Sequence, residues 1–179
     1  MQYLLSGFVA AVIATLISVV YLYLTEQSRL RSEVTVEVAD YFDDIYTRLQ
    51  ILNVDKDAAY TGKKRGLTEE EYRITSRELR VLFNRSRTGL RLAIVYGEGD
   101  LTGAFNYLEN SCLEAAIMLW AGTQENWKVK NAEISALFSE RIDPVRKDLQ
   151  RNLLDGTRTH QIIKDFFKRL IEVIFKRAN

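Results

Sequence analysis

His160 and Cys112 are the side chains best suited to nucleophilic or metal chemistry, and each is the only one of its kind in the chain. A single histidine and a single cysteine remove the usual zinc ligand sets and the paired Glu-x-x-His motifs of a di-iron bundle. A Cys112–His160 couple is the one conventional nucleophile and base on offer. Cys112, however, shares an apolar helical face with Leu108 and Ala116, where a small buried hydrophobe is its ordinary role. Gly62-Lys63 has the end of a phosphate loop, but Asp57 stands at the first glycine position, Lys64 at the Ser/Thr position, and no strand precedes it. Gly97, Gly99 and Gly103 miss the dinucleotide spacing by one residue and read as a turn. Glu109 and Glu114 point to different sides of a helix, so they form no acid–base pair. No catalytic residue, metal ligand or cofactor is expected, and the chain does not read as an enzyme.

Charge is patterned more suggestively. Arg73, Arg77, Arg80, Arg87 and Arg91 form one stripe at helical spacing, and Glu33, Glu37, Asp40 and Asp44 form another of opposite sign. An antiparallel hairpin would bring Asp44 to Arg77, Asp40 to Arg80, Glu37 to Asn84 and Glu33 to Arg87, a ladder of ion pairs that sets register more than stability. The competing reading makes the arginines a surface for phosphate, through nucleic acid or anionic lipid. A matching acidic stripe and a net charge of only +1 disfavour nucleic acid. Arg85 and Arg91, beyond reach of the acids, would be the best anion contacts. The C-terminal segment adds Lys164, Lys168 and Arg169 opposite a wide apolar face. It reads as a helix closing the bundle, with a membrane-surface helix as the competing reading.

The element that would place all of this is at the N-terminus. From Tyr3 to Leu24 there is no charge and no proline, enough length at about 1.5 Å per residue to cross about 30 Å of hydrocarbon. This run reads as an uncleaved single-pass anchor, since no small-x-small cleavage site follows it. Tyr3, Tyr21 and Tyr23 suit the interfaces. Arg29 and Arg31 after the span favour an outside N-terminus and a cytosolic C-terminal domain, most simply at a bacterial inner membrane. Ser6, Ala10, Ala14 and Ser18, with Gly7 and Ala11 beside them, form a smooth face on which two such helices could pack.

Residues 28–179 read as one helical bundle domain, because a single proline and few glycines disfavour a β-sandwich and the apolar spacing is helical almost throughout. A first helix should bury Val34, Val38, Phe42, Ile45, Leu49 and Leu52 and end near Asn53, before a flexible loop over 53–67. A second should start at a Thr68–Glu71 capping box and run to Tyr96, with Leu79, Leu82, Phe83, Leu90 and Ile94 inward. A third, after Asp100, should bury Phe105, Leu108, Cys112, Leu113, Ile117 and Trp120. A fourth, with Trp127, Ile134, Leu137 and Phe138 inward, should be interrupted near Asp143-Pro144. The last should cover 159–176.

The expected architecture is thus all-α: one N-terminal transmembrane helix and a cytosolic antiparallel helical bundle. The expected role is a membrane-tethered interaction or regulatory protein whose partners are the lipid bilayer and a protein or second copy. A membrane-perturbing effector acting through the C-terminal helix is the alternative, and an anion or nucleic-acid binder through the arginine stripe comes third.

Overall fold

The computed structural model describes residues 2–84, 87–158 and 161–168; the side chains of 2–10 and of Ile13 lie outside that description. Its elements are α1 (Gln2–Thr61), α2 (Glu69–Asn84), α3 (Thr88–Tyr96), α4 (Asp100–Ala121), α5 (Trp127–Leu137), a π-helical turn (Phe138–Ile142) and α6 (Asp143–Gly156). Residues 161–168 are also helical, and the described residues contain no strand. The chain is therefore an all-α helical bundle. It divides into two compact units, one of Met1–Glu33 with Leu154–Asn179 and one of Val34–Leu153.

In the Val34–Leu153 unit the core begins with the stripe read from α1: Val34, Val38, Phe42, Ile45, Leu49 and Leu52 are all buried. The helix does not stop at Asn53. Eight further residues, expected in the flexible loop 53–67, are helical up to Thr61, because Asp55, Lys56 and Ala58 are themselves buried. Gly62 ends the helix with φ +73°, a left-handed conformation open to glycine, and the Lys63 N–H then donates to the Ala58 carbonyl across the turn. The remaining connection to α2 is short.

α2 starts as its sequence suggests. The Glu71 N–H donates to Thr68 Oγ1 at 3.3 Å, and the Thr68 N–H donates to the Glu71 carboxylate at 2.7 Å, a reciprocal cap. Its backbone and hydroxyl hydrogen bonds to Thr68 hold the Glu71 carboxyl below the usual carboxylate range. The single helix expected to reach Tyr96 is broken after Asn84, and α3 resumes at Thr88. The break changes the helical phase. Leu79 is buried and Leu82 and Phe83 half-buried as expected, but beyond the break Leu90 and Ile94 are 65 % and 71 % exposed, and Leu92 and Val95 turn inward instead.

Gly97 closes α3 at φ +87° and donates its N–H to the Ala93 carbonyl, so the glycine cluster is a turn between two helices. α4 buries Phe105, Leu108, Ser111, Cys112, Ala115, Ala116 and Leu119. Leu113 and Trp120, expected inward, are half-buried, and Ile117 is exposed, because the buried stripe runs through Ala115, Ala116 and Leu119 and leaves these three to one side. Trp127, Ile134, Leu137 and Phe138 are buried as expected. The interruption before Pro144 takes the form of the π-helical turn, in which the Asp143 N–H reaches back to the Phe138 carbonyl. Proline supplies no N–H and crowds the carbonyl four residues before it, so widening the preceding turn relieves both defects.

In the unit of Met1–Glu33 and Leu154–Asn179, Arg31 is buried and donates to the Gly156 carbonyl and the Asp165 carboxylate, each at 2.9 Å. Ile162 is buried, and the Phe166 ring lies 5.3 Å from that of Tyr23. These contacts hold residues 161–168 against α1. Replacing Arg31 by Leu removes the charged tie and is expected to cost about 2 kcal/mol, since Asp165 keeps some solvent. Limited proteolysis should then cut the chain between 157 and 168 at least tenfold faster than in the wild type.

Candidate functional site

Of the small-residue face in the apolar run, the side chains of Ser6, Gly7 and Ala10 lie outside the described residues, whereas Ala11, Ala14 and Ser18 are exposed. So are the large apolar side chains around them. Val12, Leu16, Ile17, Val19, Tyr21 and Leu22 are 42 to 68 % exposed on all sides of the helix. The hydroxyls in this stretch are closed on their own helix: Thr15 donates to the Ala11 carbonyl, Ser18 to Ala14 and Thr25 to Tyr21, each at 2.9 Å. Among the described residues no helix is long and apolar enough to cross a membrane. The first part of the run, Tyr3 to Ala10, contributes no side chain to that description.

The ion-pair ladder does not form in the expected register. Glu37, expected opposite Asn84, accepts hydrogen bonds from Arg91 and from the Thr88 hydroxyl. Glu33 pairs with Arg29 of its own helix, and Arg48 pairs with Glu78. Asp40, Asp44, Arg77, Arg80 and Arg87 have no ion-pair partner within 4.0 Å among the described residues. The hairpin is antiparallel as predicted, but buried apolar side chains set its register; Leu49 and Leu79, both fully enclosed, outweigh exposed pairs worth about 0 to 1 kcal/mol each. Arg91, expected to be free for an anion, is thus engaged, while Arg85 lies outside the described residues.

A basic groove, open to solvent and of about 370 Å³, runs along α2 and is lined by Glu69, Tyr72, Arg73, Ser76, Arg77 and Arg80. Arg80 lies over the Trp120 ring, 4.6 Å from its centroid, and the Trp120 indole N–H donates to Ser76 Oγ at 2.9 Å. Arg73 is held by Glu70 and Glu69 by Arg65.

Sequence reasoning missed a polar cluster at the end of α1. The Asp55 carboxylate accepts two hydrogen bonds from Arg65, at 2.7 and 3.0 Å, and one from the Leu67 N–H at 2.8 Å. Burial pushes this carboxyl up, but the Arg65 and Leu67 hydrogen bonds and the Arg65 charge outweigh it and hold it below its usual range. Lys56 is buried beside it in sequence, donates to the Leu119 carbonyl, and lies 5.6 and 5.4 Å from the centroids of the Tyr60 and Trp127 rings, which touch each other edge to face. Desolvation lowers its pKa. Asp57 accepts from the Trp127 indole and the Asn131 amide, both at 3.1 Å. The three charges fasten helices together, and Asp55 also borders an open, mostly apolar recess of about 590 Å³ with Ile51, Val54, Ala58, Lys64 and Leu67. Their only sequence signal is Gly62, which as a helix terminator would have moved these residues from loop to helix.

Cys112 is buried, and burial pushes its thiol up to about 12, so it is inert as a nucleophile. His160 lies outside the described residues. Glu109 accepts from the Tyr41 hydroxyl and Glu114 from Arg141, on separate partners. Lys164 and Lys168 are exposed beside Ile163 and Phe167, and Arg169 lies outside the described residues. Among the described residues no group of three or more His, Cys, Asp or Glu side chains could hold a metal ion. No known protein family, curated protein or solved structure matches the chain.

Proposed function

We propose that this protein is a membrane-tethered helical interaction or regulatory protein. Its N-terminal helix crosses the bilayer, and its bundle is held at the cytosolic face. The observation that carries this reading is the stretch Val12 to Leu22, where large apolar side chains are exposed around the whole helix while the hydroxyls bond to backbone carbonyls. A helix that is apolar all round needs an apolar surrounding, and lipid supplies it where protein does not. The uncharged run from Tyr3 extends that stretch to spanning length.

The helix face through Ala10, Ala14 and Ser18 pairs with a second copy of this chain. Crosslinking tests it in native membranes, using full-length protein with Cys112→Ser and single cysteines at Ala10 or, as a control, Ile13. Disulfide dimers at Ala10 and not at Ile13 are expected. Equal yields at both positions, or none at either, would remove the dimer and leave the tether.

A second reading follows from the exposed pair Ile163 and Phe167 beside Lys164 and Lys168, a combination suited to a membrane surface. It makes the chain a membrane-perturbing effector. Dye release from anionic liposomes by the full chain supports it, and full retention at high protein loading disposes of it.

A further inference from the structure

We propose that the α2 groove bounded by Tyr72, Arg73, Ser76, Arg77 and Arg80 binds a phosphate-bearing ligand, with Arg77 and Arg80 gripping the anion. The expected ladder of ion pairs does not form. A stripe of arginines facing a stripe of acids would be neutralised, but Arg77 and Arg80 face none of those acids. Of the other charges at the groove, Arg73 pairs with Glu70, and Glu69 shares Arg65 with Asp55. Two guanidiniums with no ion-pair partner among the described residues, three residues apart on one helix face, therefore border an open groove of about 370 Å³.

The groove is also organised before any ligand arrives. An exposed arginine ordinarily wanders, but the Arg80 guanidinium carbon lies over the Trp120 ring, 4.6 Å from its centroid, a cation–π contact that restrains it. The Trp120 indole is in turn oriented by its hydrogen bond to Ser76. Ser76 acts there as acceptor and has no acceptor for its own proton among the described residues, so its hydroxyl can donate to an anion. Two planar forks and a hydroxyl suit a tetrahedral dianion such as a phosphomonoester or a diphosphate better than a lone carboxylate. That chemistry is shared by soluble phosphate compounds and by phosphorylated lipid headgroups.

The test uses the full chain in non-ionic detergent at low salt, with tryptophan fluorescence as readout, because Trp120 stacks against one of the proposed anion ligands. The probes are inorganic pyrophosphate, dioctanoyl phosphatidylinositol 4-phosphate and dioctanoyl phosphatidylcholine. A saturable change with pyrophosphate is expected, weakened about tenfold or more by Arg77→Gln and unchanged by Arg151→Gln, whose arginine lies on α6 paired to Asp148. Arg80→Lys keeps the charge but loses the guanidinium fork over Trp120 and is expected to weaken binding about threefold to tenfold. A response confined to the phosphoinositide and lost in Arg77→Gln also supports the site and assigns its ligand to the headgroup. No saturable response to either phosphate probe, or an equal response in Arg77→Gln of native helix content, would overturn the proposal.

Discussion

Phe105→Ala is expected to destabilise the bundle by about 3 to 5 kcal/mol, the cost of emptying a large aromatic site in a closed core. Phe105 is 1 % exposed and sits where three helices meet. Its ring lies 5.8 Å from Tyr41 and 5.0 Å from Phe42 of α1, and against Gly89 of α3. A Cβ added at Gly89 would lie 2.8 Å from Phe105 Cε1 and 3.2 Å from Cδ1, so α3 can approach α4 here only because residue 89 has no side chain. Gly89→Ala gains about 0.5 to 1 kcal/mol of helix propensity but loses more to this overlap, for a net cost of about 1 to 2 kcal/mol. In the double variant the methyl enters space that the ring has left, so the second substitution should become neutral or stabilising. Urea titrations of the two single variants and the double variant, followed by far-ultraviolet circular dichroism, measure the coupling. Additive losses would mean that Phe105 and Gly89 do not share a contact.

Asp55→Ala has the next largest expected effect, about 2 to 3 kcal/mol, through a different mechanism. The carboxylate is the common acceptor for Arg65 and the Leu67 N–H, and so ties the α1–α2 connection to the end of α1. Its pKa is lower in the folded chain than in the unfolded one, so the folded state binds a proton less readily. The stabilisation is therefore fully present above about pH 5, and it is lost as pH falls through the unfolded value of about 4 and then the lower folded value. The stability gap between wild type and Asp55→Asn should narrow as pH is lowered from 6 to 3. A gap that stayed constant over this range would mean that Asp55 is not ionised in the folded chain.

Asp55 also marks where the sequence stopped being readable. The apolar stripe of α1 could be read because each of its residues repeats the same face, and the burial of Val34 through Leu52 follows from spacing alone. The Thr68–Glu71 cap was equally plain, since both partners lie three residues apart. Asp55, Lys56 and Asp57 read as a solvated loop because their partners, Arg65, the Leu119 carbonyl and Trp127, are brought to them by tertiary structure. The same limit explains the ladder: charge spacing identified two helices that run antiparallel, but packing around Leu79 and the break after Asn84 chose a register that exposed pairs were too weak to oppose. Of the expected anion contacts, Arg91 is engaged by Glu37, whereas Lys164 and Lys168 are exposed.

The central claim, that the N-terminal helix lies in a bilayer, is tested most directly by extracting membranes of cells expressing the full chain with alkaline carbonate and floating the residue on a sucrose gradient. The wild-type chain is predicted to stay with the floating lipid. A double variant, Leu16→Arg with Ile17→Arg, should move to the extract, since each arginine adds about 2.5 to 3.5 kcal/mol to insertion near the middle of a span. Recovery of the folded wild-type chain in the carbonate extract would contradict the tether and leave the apolar run in need of a protein partner instead.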